Sequence, residues 1–383
     1  MAIALGIVGA GSFAQSFIPL FRDHPLVGRI ALADINADNL ARSSRDHRVS
    51  ETYDSLDAIC RTDLDALVIM TQPWLHAPQA IQALESGKHV YSAVPVISLP
   101  DGQAMLQWCD RLIETCRRTG LHYMMGETSH YRPEAMLGRR KAAEGAFGTF
   151  VHAEGRYLHD VDSPWSNLRE VSRRRHGAAW SPKLSGDIPM HYPTHSIGGL
   201  VSVMNAHMVE VSARGHVTPG DDWHRADTVS GNLFGNETAL FRMSNGATAE
   251  ICEYRKIGHL NFEGLSIYGT AGSLVARPRE SDGVEWLTTS EVVALQAHEM
   301  RDPLPPEILA AFARSHPGNP YGGHGGSHAY LVHEFVSAVA ENRRPAINAW
   351  QAVRYFAPGI VAHQSALRDG ELLKVPDWGD PPA

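Results

Sequence analysis

Histidine and tyrosine recur in this chain at spacings that place pairs of proton-exchanging groups on one face of an element. Tyr157 and His159 lie two apart, the repeat of a strand, so their side chains share a face. His191 and His195 lie four apart, the repeat of a helix, and share a face if a helix starts there; Tyr192 falls between them. His324 sits in the glycine-rich run Tyr321–Gly326. Groups of this kind suit proton transfer near neutral pH. Each pair also has a purely structural reading, as satisfied side chains on a packed face. The four-residue spacing of His191/His195 and of His324/His328 is also used by metal sites, which makes a metal-dependent hydrolase or lyase a competing class. That reading leaves the N-terminal loop described next unexplained, so no metal is expected.

The elements that must position these residues begin with Leu5-Gly6-Ile7-Val8-Gly9-Ala10-Gly11-Ser12-Phe13-Ala14. An apolar run suited to a buried strand ends in G-x-G-x-x-A, and Ala14 opens an amphipathic segment. Gly9 permits a tight turn, Gly11 allows backbone N–H groups to approach a pyrophosphate, and the small Ala14 lets the following helix sit close to the strand. The loop with Ser12 and Phe13 therefore reads as a dinucleotide cradle. Arg29-Ile30-Ala31-Leu32-Ala33 is a second buried strand ending in Asp34, about 20 residues past the loop, where an acid binds the adenosine ribose. A carboxylate there accepts from the 2′-OH and repels a 2′-phosphate, which favours NAD over NADP.

Beyond Asp34 the pattern keeps alternating. Strands are expected at 65–70, 89–92 and 122–125, and helices at 56–59, 76–86 and 101–119. This is a doubly wound parallel sheet that binds ligands at the strands' carboxyl ends. Those ends turn polar or irregular at Thr71, Pro73, Trp74 and His76, at Ala93 and Val94, and at Glu127, all expected at the cofactor. From about residue 148 the period becomes strand-like: 149–158, 208–216, 239–254 with Asn245-Gly246 as a turn, 260–268 and 283–288, interrupted by helices at 195–204, 329–340 and 350–367. The expected fold is α/β: an N-terminal Rossmann domain, residues 1–129, and a C-terminal α+β domain with an open, mainly antiparallel sheet, residues 130–383.

At 383 residues the chain suits two domains, and 43% hydrophobic with 20% charged residues is ordinary globular composition. A net charge of −8 argues against a nucleic-acid partner. Four cysteines without a C-x-x-C pair fit a reducing compartment. The apolar N-terminus lacks a basic leader and reads as strand one, and no apolar run reaches the ~18 residues that span a bilayer. A cytoplasmic protein with no membrane contact is expected.

Gly87-Lys88-His89-Val90 leading to Pro95, together with this architecture, resembles the Gfo/Idh/MocA family of NAD(P)-dependent sugar and polyol enzymes. In its ordinary dehydrogenases the residues before this proline are Glu-Lys, the lysine acting as acid/base; here they are Ala93 and Val94. The family's aspartate four residues before a histidine is matched by His191 ahead of His195. Closer is the likeness to the superfamily's NAD-dependent glycosidases, of the α-N-acetylgalactosaminidase or sulfoquinovosidase type. It rests on Met124-Met125 with Glu127, Tyr131 and Arg132, on Gly145-Ala146-Phe147-Gly148 with Val151-His152-Ala153-Glu154-Gly155, on Tyr157-Leu158-His159-Asp160, on Tyr192-Pro193-Thr194-His195, and on Gly322-Gly323-His324-Gly325-Gly326. Thr128 stands where those enzymes carry asparagine, and Ser327-His328 where they tend to carry Met-Asp.

The resemblance implies oxidation of a sugar at C3 by bound NAD, loss of the acidified C2 proton, departure of the C1 substituent, addition of water and return of the hydride. No carboxylate pair flanking the glycosidic bond is needed. His195 or Tyr157 is then expected to deprotonate the 3-OH, with His159 or Tyr192 as C2 base or water activator. Tyr131, Arg132, His191 and His324 are expected to contact substrate. Arg173-Arg174-Arg175 and Lys183 read as a solvated face or, with Arg174 and Lys183 as ligands, as a site for an anionic substituent such as the sulfonate of a sulfoquinovoside. Trp165, like Trp74, reads as packing or as a stacking surface. The alternatives are an NAD-dependent sugar or polyol dehydrogenase and a catalytically silent NAD or sugar sensor. A small-molecule sugar or glycoside is the expected partner, and the antiparallel sheet a face for homo-oligomer formation.

Overall fold

The computed structural model describes residues 2–164, 168–171, 188–228, 231–277 and 283–382. Among them the strands form two sheets. The first has six parallel strands in the order β3-β2-β1-β4-β5-β6: β1 Ile3–Val8, β2 Val27–Ala33, β3 Glu51–Tyr53, β4 Ala66–Ile69, β5 His89–Ser92 and β6 Tyr123–Met125. In β1 the central residues Leu5, Ile7 and Val8 are buried, as a strand covered on both faces requires. Ile7 lies between Leu32 of β2 and Val68 of β4, so the strand order reverses at β1 and its carboxyl end opens on the crevice where such sheets bind ligands. Helix Gly102–Thr119 starts where the Asp101 side chain accepts from the Gln103 N–H and stops at Gly120 in left-handed conformation. The segment after the glycine loop departs from expectation. It makes a single turn at Ala14–Ser16 and only then a short helix, Ile18–Asp23.

The second sheet has the order β14-β13-β12-β11-β7-β10-β9-β8-β15 and is antiparallel except where β7 and β10 run parallel. Its strands are β7 Phe150–Leu158, β8 Met208–Val217, β9 Phe234–Met243, β10 Thr248–Tyr254, β11 Phe262–Gly269, β12 Ser273–Ala276, β13 Val284–Leu287, β14 Val292–Leu295 and β15 Leu373–Lys374. The expected turn at Asn245-Gly246 joins β9 to β10. Helices Ala37–His47, Pro133–Ala143 and Pro306–Ser315 and strands β3, β12 and β14 were not legible in the apolar pattern.

The C-terminal chain ties the sheets together. Met125 N–H donates to Ile347 O at 3.0 Å, and helix Ala349–Leu367, capped by Asn348, packs against β6 and helix Gly102–Thr119 on one side and β8 on the other. One continuous apolar core runs from β1 to β11 as a result. No helix among the described residues is long and apolar enough to cross a membrane. All four cysteines are buried free thiols.

Candidate active site

Four strands of the second sheet bring one row of polar side chains to the same level. Glu237 of β9 pairs with Glu253 of β10, Glu253 with Tyr157 of β7, and Tyr157 with Glu263 of β11. Cross-strand partners project to one face, here the face covered by helix Thr194–Met204. Buried charge must find a partner, and each carboxylate has one. Glu237 accepts from His363 Nδ1 at 2.7 Å, and Glu253 accepts from Arg255 Nη2 at 2.8 Å and from the Ser196 hydroxyl. Glu263 pairs with Arg132 at 2.6 Å, both side chains under a tenth exposed, and His159 Nε2 lies 3.4 Å from its other oxygen. Burial opposes ionisation of Glu263, and the Arg132 guanidinium overrides it and holds the carboxyl well below the usual range. Burial raises Glu253 instead, to about 7, against the pull of Arg255.

Helix Thr194–Met204 reaches this row because glycine faces it twice. A Cβ on Gly155 of β7 would sit 1.9 Å from Ser196 O, and one on Gly198 would meet Ser129 Oγ at 2.7 Å and Glu127 Cγ at 2.8 Å. The helix is thus pressed between β7 and the loop after β6, with His195 in its first turn. His195 Nδ1 is 2.8 Å from Glu127 Oε1 and 3.3 Å from Thr128 Oγ1; Glu127 is fully buried and also accepts the Ser129 N–H at 2.7 Å. Burial works against an imidazolium here, and the Glu127 carboxylate more than reverses it, raising His195 to about 9. His195 holds Glu127 below the usual carboxylate range in return. His195 Nε2 makes no hydrogen bond among the described residues, and the ring lies 5.6 Å from Tyr157, 5.3 Å from Tyr192 and 6.4 Å from His324. Tyr157 stacks on His159 at 3.9 Å, with the Arg255 guanidinium 4.4 Å from the phenol ring. Burial raises the Tyr157 hydroxyl far above the usual tyrosine value, so it stays protonated. His159 and His324 are both lowered by burial and stay neutral at pH 7.

The residues at the end of β1 fit a dinucleotide. Gly9 has φ +95 with Met70 O 2.7 Å from where a Cβ would be, whereas the space beside Gly11 is open for at least 4 Å. Ser12 and Phe13 are exposed at the crest of the loop, with Ala14 buried beneath. Asp34 Oδ2 accepts the Ala10 N–H at 2.7 Å and Oδ1 the Asn36 N–H at 2.7 Å, which sets the carboxylate beside the loop. His76 spans the next two loops, Nδ1 2.8 Å from Pro95 O and Nε2 3.1 Å from Thr71 O. Pro73 is buried and Trp74 half-buried, and Ala93 and Val94 are buried without a proton-exchanging group.

Several expected residues are placed apart from His195. His191 precedes the helix rather than sharing its face, because the helix starts at Thr194. Its Nδ1 is 3.3 Å from Leu99 O and its ring 5.1 Å from His363, and burial lowers it to about 3. Tyr131 stacks on Tyr330 at 6.1 Å, with Arg139 at 5.7 Å. Glu127, expected at the cofactor, has its carboxylate engaged by His195. Trp165, Arg173, Arg174, Arg175 and Lys183 lie outside the described residues. No group of three or more potential metal ligands occurs among the described residues. Glu253, Glu263 and Arg255 were not anticipated. Their signal is a glutamate in the inward slot of a strand, after Ala249 and Ile251 in β10 and before Leu265 and Ile267 in β11, where period two calls for an apolar side chain.

Comparison with known proteins bears on the N-terminal domain and on the fold. Residues 3–127 match the family model described as "Oxidoreductase family, NAD-binding Rossmann fold", GFO_IDH_MocA. The chain is 28% identical over 216 residues to a "Glycosyl hydrolase family 109 protein" of Shewanella sp., covering 53% of this chain and 44% of that protein. It is 30% identical over 215 residues to an "Alpha-N-acetylgalactosaminidase" of Bacteroides fragilis, covering 54% and 49%. These matches span about half the length of the curated relatives. A solved levoglucosan dehydrogenase in complex with NADH superposes with a TM-score of 0.76 at 20% identity, over 98% of this chain and 100% of that one, which shows a shared fold.

Proposed function

Residues 3–127 form an NAD-binding Rossmann domain of the Gfo/Idh/MocA oxidoreductase family, and from that premise we propose that the protein is an NAD-dependent glycoside hydrolase. The domains divide near residue 129, and the sugar binds against His195, Tyr157, Tyr192 and His324. The Gly9–Gly11 loop and Asp34 would hold NAD, which would supply a reversible hydride acceptor for C3 of the sugar. The observation that carries the reading is His195, held at Nδ1 by Glu127 with Nε2 unengaged. In its neutral form it takes the proton of the 3-OH at Nε2; as imidazolium it gives that proton back when the alcohol is restored. Tyr157, protonated and stacked on His159, serves as hydrogen-bond donor, and the neutral His159 has the protonation state a C2 base needs.

The buried carboxylates favour this route over direct displacement. Glu127 is engaged by His195 and Glu263 by Arg132, so neither is available as the free acid or nucleophile of a two-carboxylate glycosidase. Arg132 is likewise engaged by Glu263, and Arg174 and Lys183, the residues proposed for an anionic sugar such as a sulfoquinovoside, lie outside the described residues. The same His195 would serve an NAD-dependent sugar dehydrogenase, the second reading. The two are separated by following aglycone release and NADH absorbance together on aryl glycosides.

A further inference from the structure

The loop carrying His324 is built at some cost. His324 has φ +50 and is followed by Gly325 at φ +67 and Gly326 at φ +92. Left-handed backbone at a non-glycine residue persists only where the surroundings enforce it, and such positions cluster at functional sites. The ring lies 6.4 Å from that of His195, in a site that also presents Glu263, Arg132 and Glu127. Its task can be read from the hydrogen bonds behind it.

Gly323 N–H donates to Nδ1 of His328 at 3.3 Å. That nitrogen therefore carries a lone pair, and the single proton of the neutral His328 ring is on Nε2. Burial keeps this ring neutral, lowering it to about 3, and its stacking on Phe17 at 4.2 Å fixes its plane. Its Nε2–H faces Nδ1 of His324 at 2.8 Å. His324 Nδ1 must accept, so its own proton is on Nε2, which makes no hydrogen bond among the described residues.

We propose that His328 acts as a positioning residue that locks His324 as a one-way hydrogen-bond donor, presenting Nε2–H to an oxygen acceptor of the ligand. The imidazoles of His195 and His324 are both held at Nδ1 but with opposite polarity. Glu127 accepts from His195 and frees its Nε2 to exchange a proton; His328 donates to His324 and denies it that role. Adding a second proton to His324 would set two N–H groups against each other across 2.8 Å. The position beside His324 thus takes a carbonyl, ether, hydroxyl or anionic oxygen and rejects an ammonium group. That the ligand is a sugar rests on the function proposed above; the tautomer does not.

The test uses the full chain with ring-15N histidine, His324→Gln serving to assign the signals. In the wild type at pH 7, His324 is expected to show an unprotonated Nδ1 and a protonated Nε2, and to resist protonation to below pH 6.5. In His328→Asp the carboxylate accepts from Nδ1–H, the tautomer reverses and His324 titrates above 6.5. Carbethoxylation followed by mass spectrometry is the second readout: His324 is spared in the wild type and modified in His328→Asp, whose Nε2 has a lone pair. A wild-type His324 carrying its proton on Nδ1, or present as imidazolium at pH 7, overturns the proposal. Because neither readout needs turnover, failure of the glycosidase reading and failure of the lock are distinguishable.

Discussion

Glu127→Gln removes one negative charge 2.8 Å from His195 Nδ1 and keeps the size of the side chain. The distance from 6.5 to about 9 corresponds to roughly 3 kcal/mol in favour of the imidazolium. Without that carboxylate the burial penalty is the largest influence left, with Arg132 also lowering the imidazole and Glu263 opposing both, so His195 should titrate below 6.5. The folded value is raised, so its contribution to stability is fully present below pH 6.5 and is lost as pH rises through about 9. Glu127 is depressed in the fold, and its share is lost as pH falls below its ordinary value near 4.5. The variant should be less stable than wild type by most between those limits, and the gap should close above pH 9. In turnover, proton abstraction by neutral His195 makes kcat/KM of the wild type climb towards pH 9. In Glu127→Gln that limb moves below 6.5. The assay is a 15N titration of His195 beside thermal melts from pH 5 to 10. A wild-type His195 titrating near 6.5, unmoved by Glu127→Gln, refutes the coupling.

Glu253 runs with the opposite sign from most carboxylates. Its folded value of about 7 exceeds the unfolded one, so stability falls as pH rises from 4.5 through 7, by roughly 3 kcal/mol. Glu253→Gln should flatten the melting temperature across that window, and an unchanged slope would count against burial as the cause. Asp34→Ala removes the carboxylate beside the dinucleotide loop. NAD binding should weaken about tenfold, on the scale of one charged hydrogen bond, and the preference over NADP should shrink, both read by fluorescence titration. An unchanged NAD to NADP ratio would remove Asp34 from the ribose site.

The parallel sheet was legible because its strands are buried on both faces and read as unbroken apolar runs between turns, as in Ala66–Ile69. The glycine loop and Asp34 were legible because their chemistry is local. The ends of the chain of contacts were not. Glu127 sits at a polar strand end and was assigned to the cofactor from that position alone, since nothing in its neighbourhood names a histidine 68 residues later as its partner. Gly155 and Gly198 were the missing information: they permit the approach that joins them, and their roles appear only once helix and sheet are superimposed. His191 misled through its spacing, because Pro193 starts the helix one turn later than the pair requires. In the strands the apolar alternation was visible, and the inward glutamates that break it were the overlooked signal.

On the function proposed above, oxidation is transient and serves to break a glycosidic bond. Its most direct test is incubation with NAD and aryl glycosides, a sulfoquinovoside and a uronide among them, in deuterated water, with aglycone and NADH followed together. Aglycone release without net NADH, and deuterium at C2 of the released sugar, is the expected result. Stoichiometric NADH with the glycosidic bond intact would contradict it and make the protein a dehydrogenase.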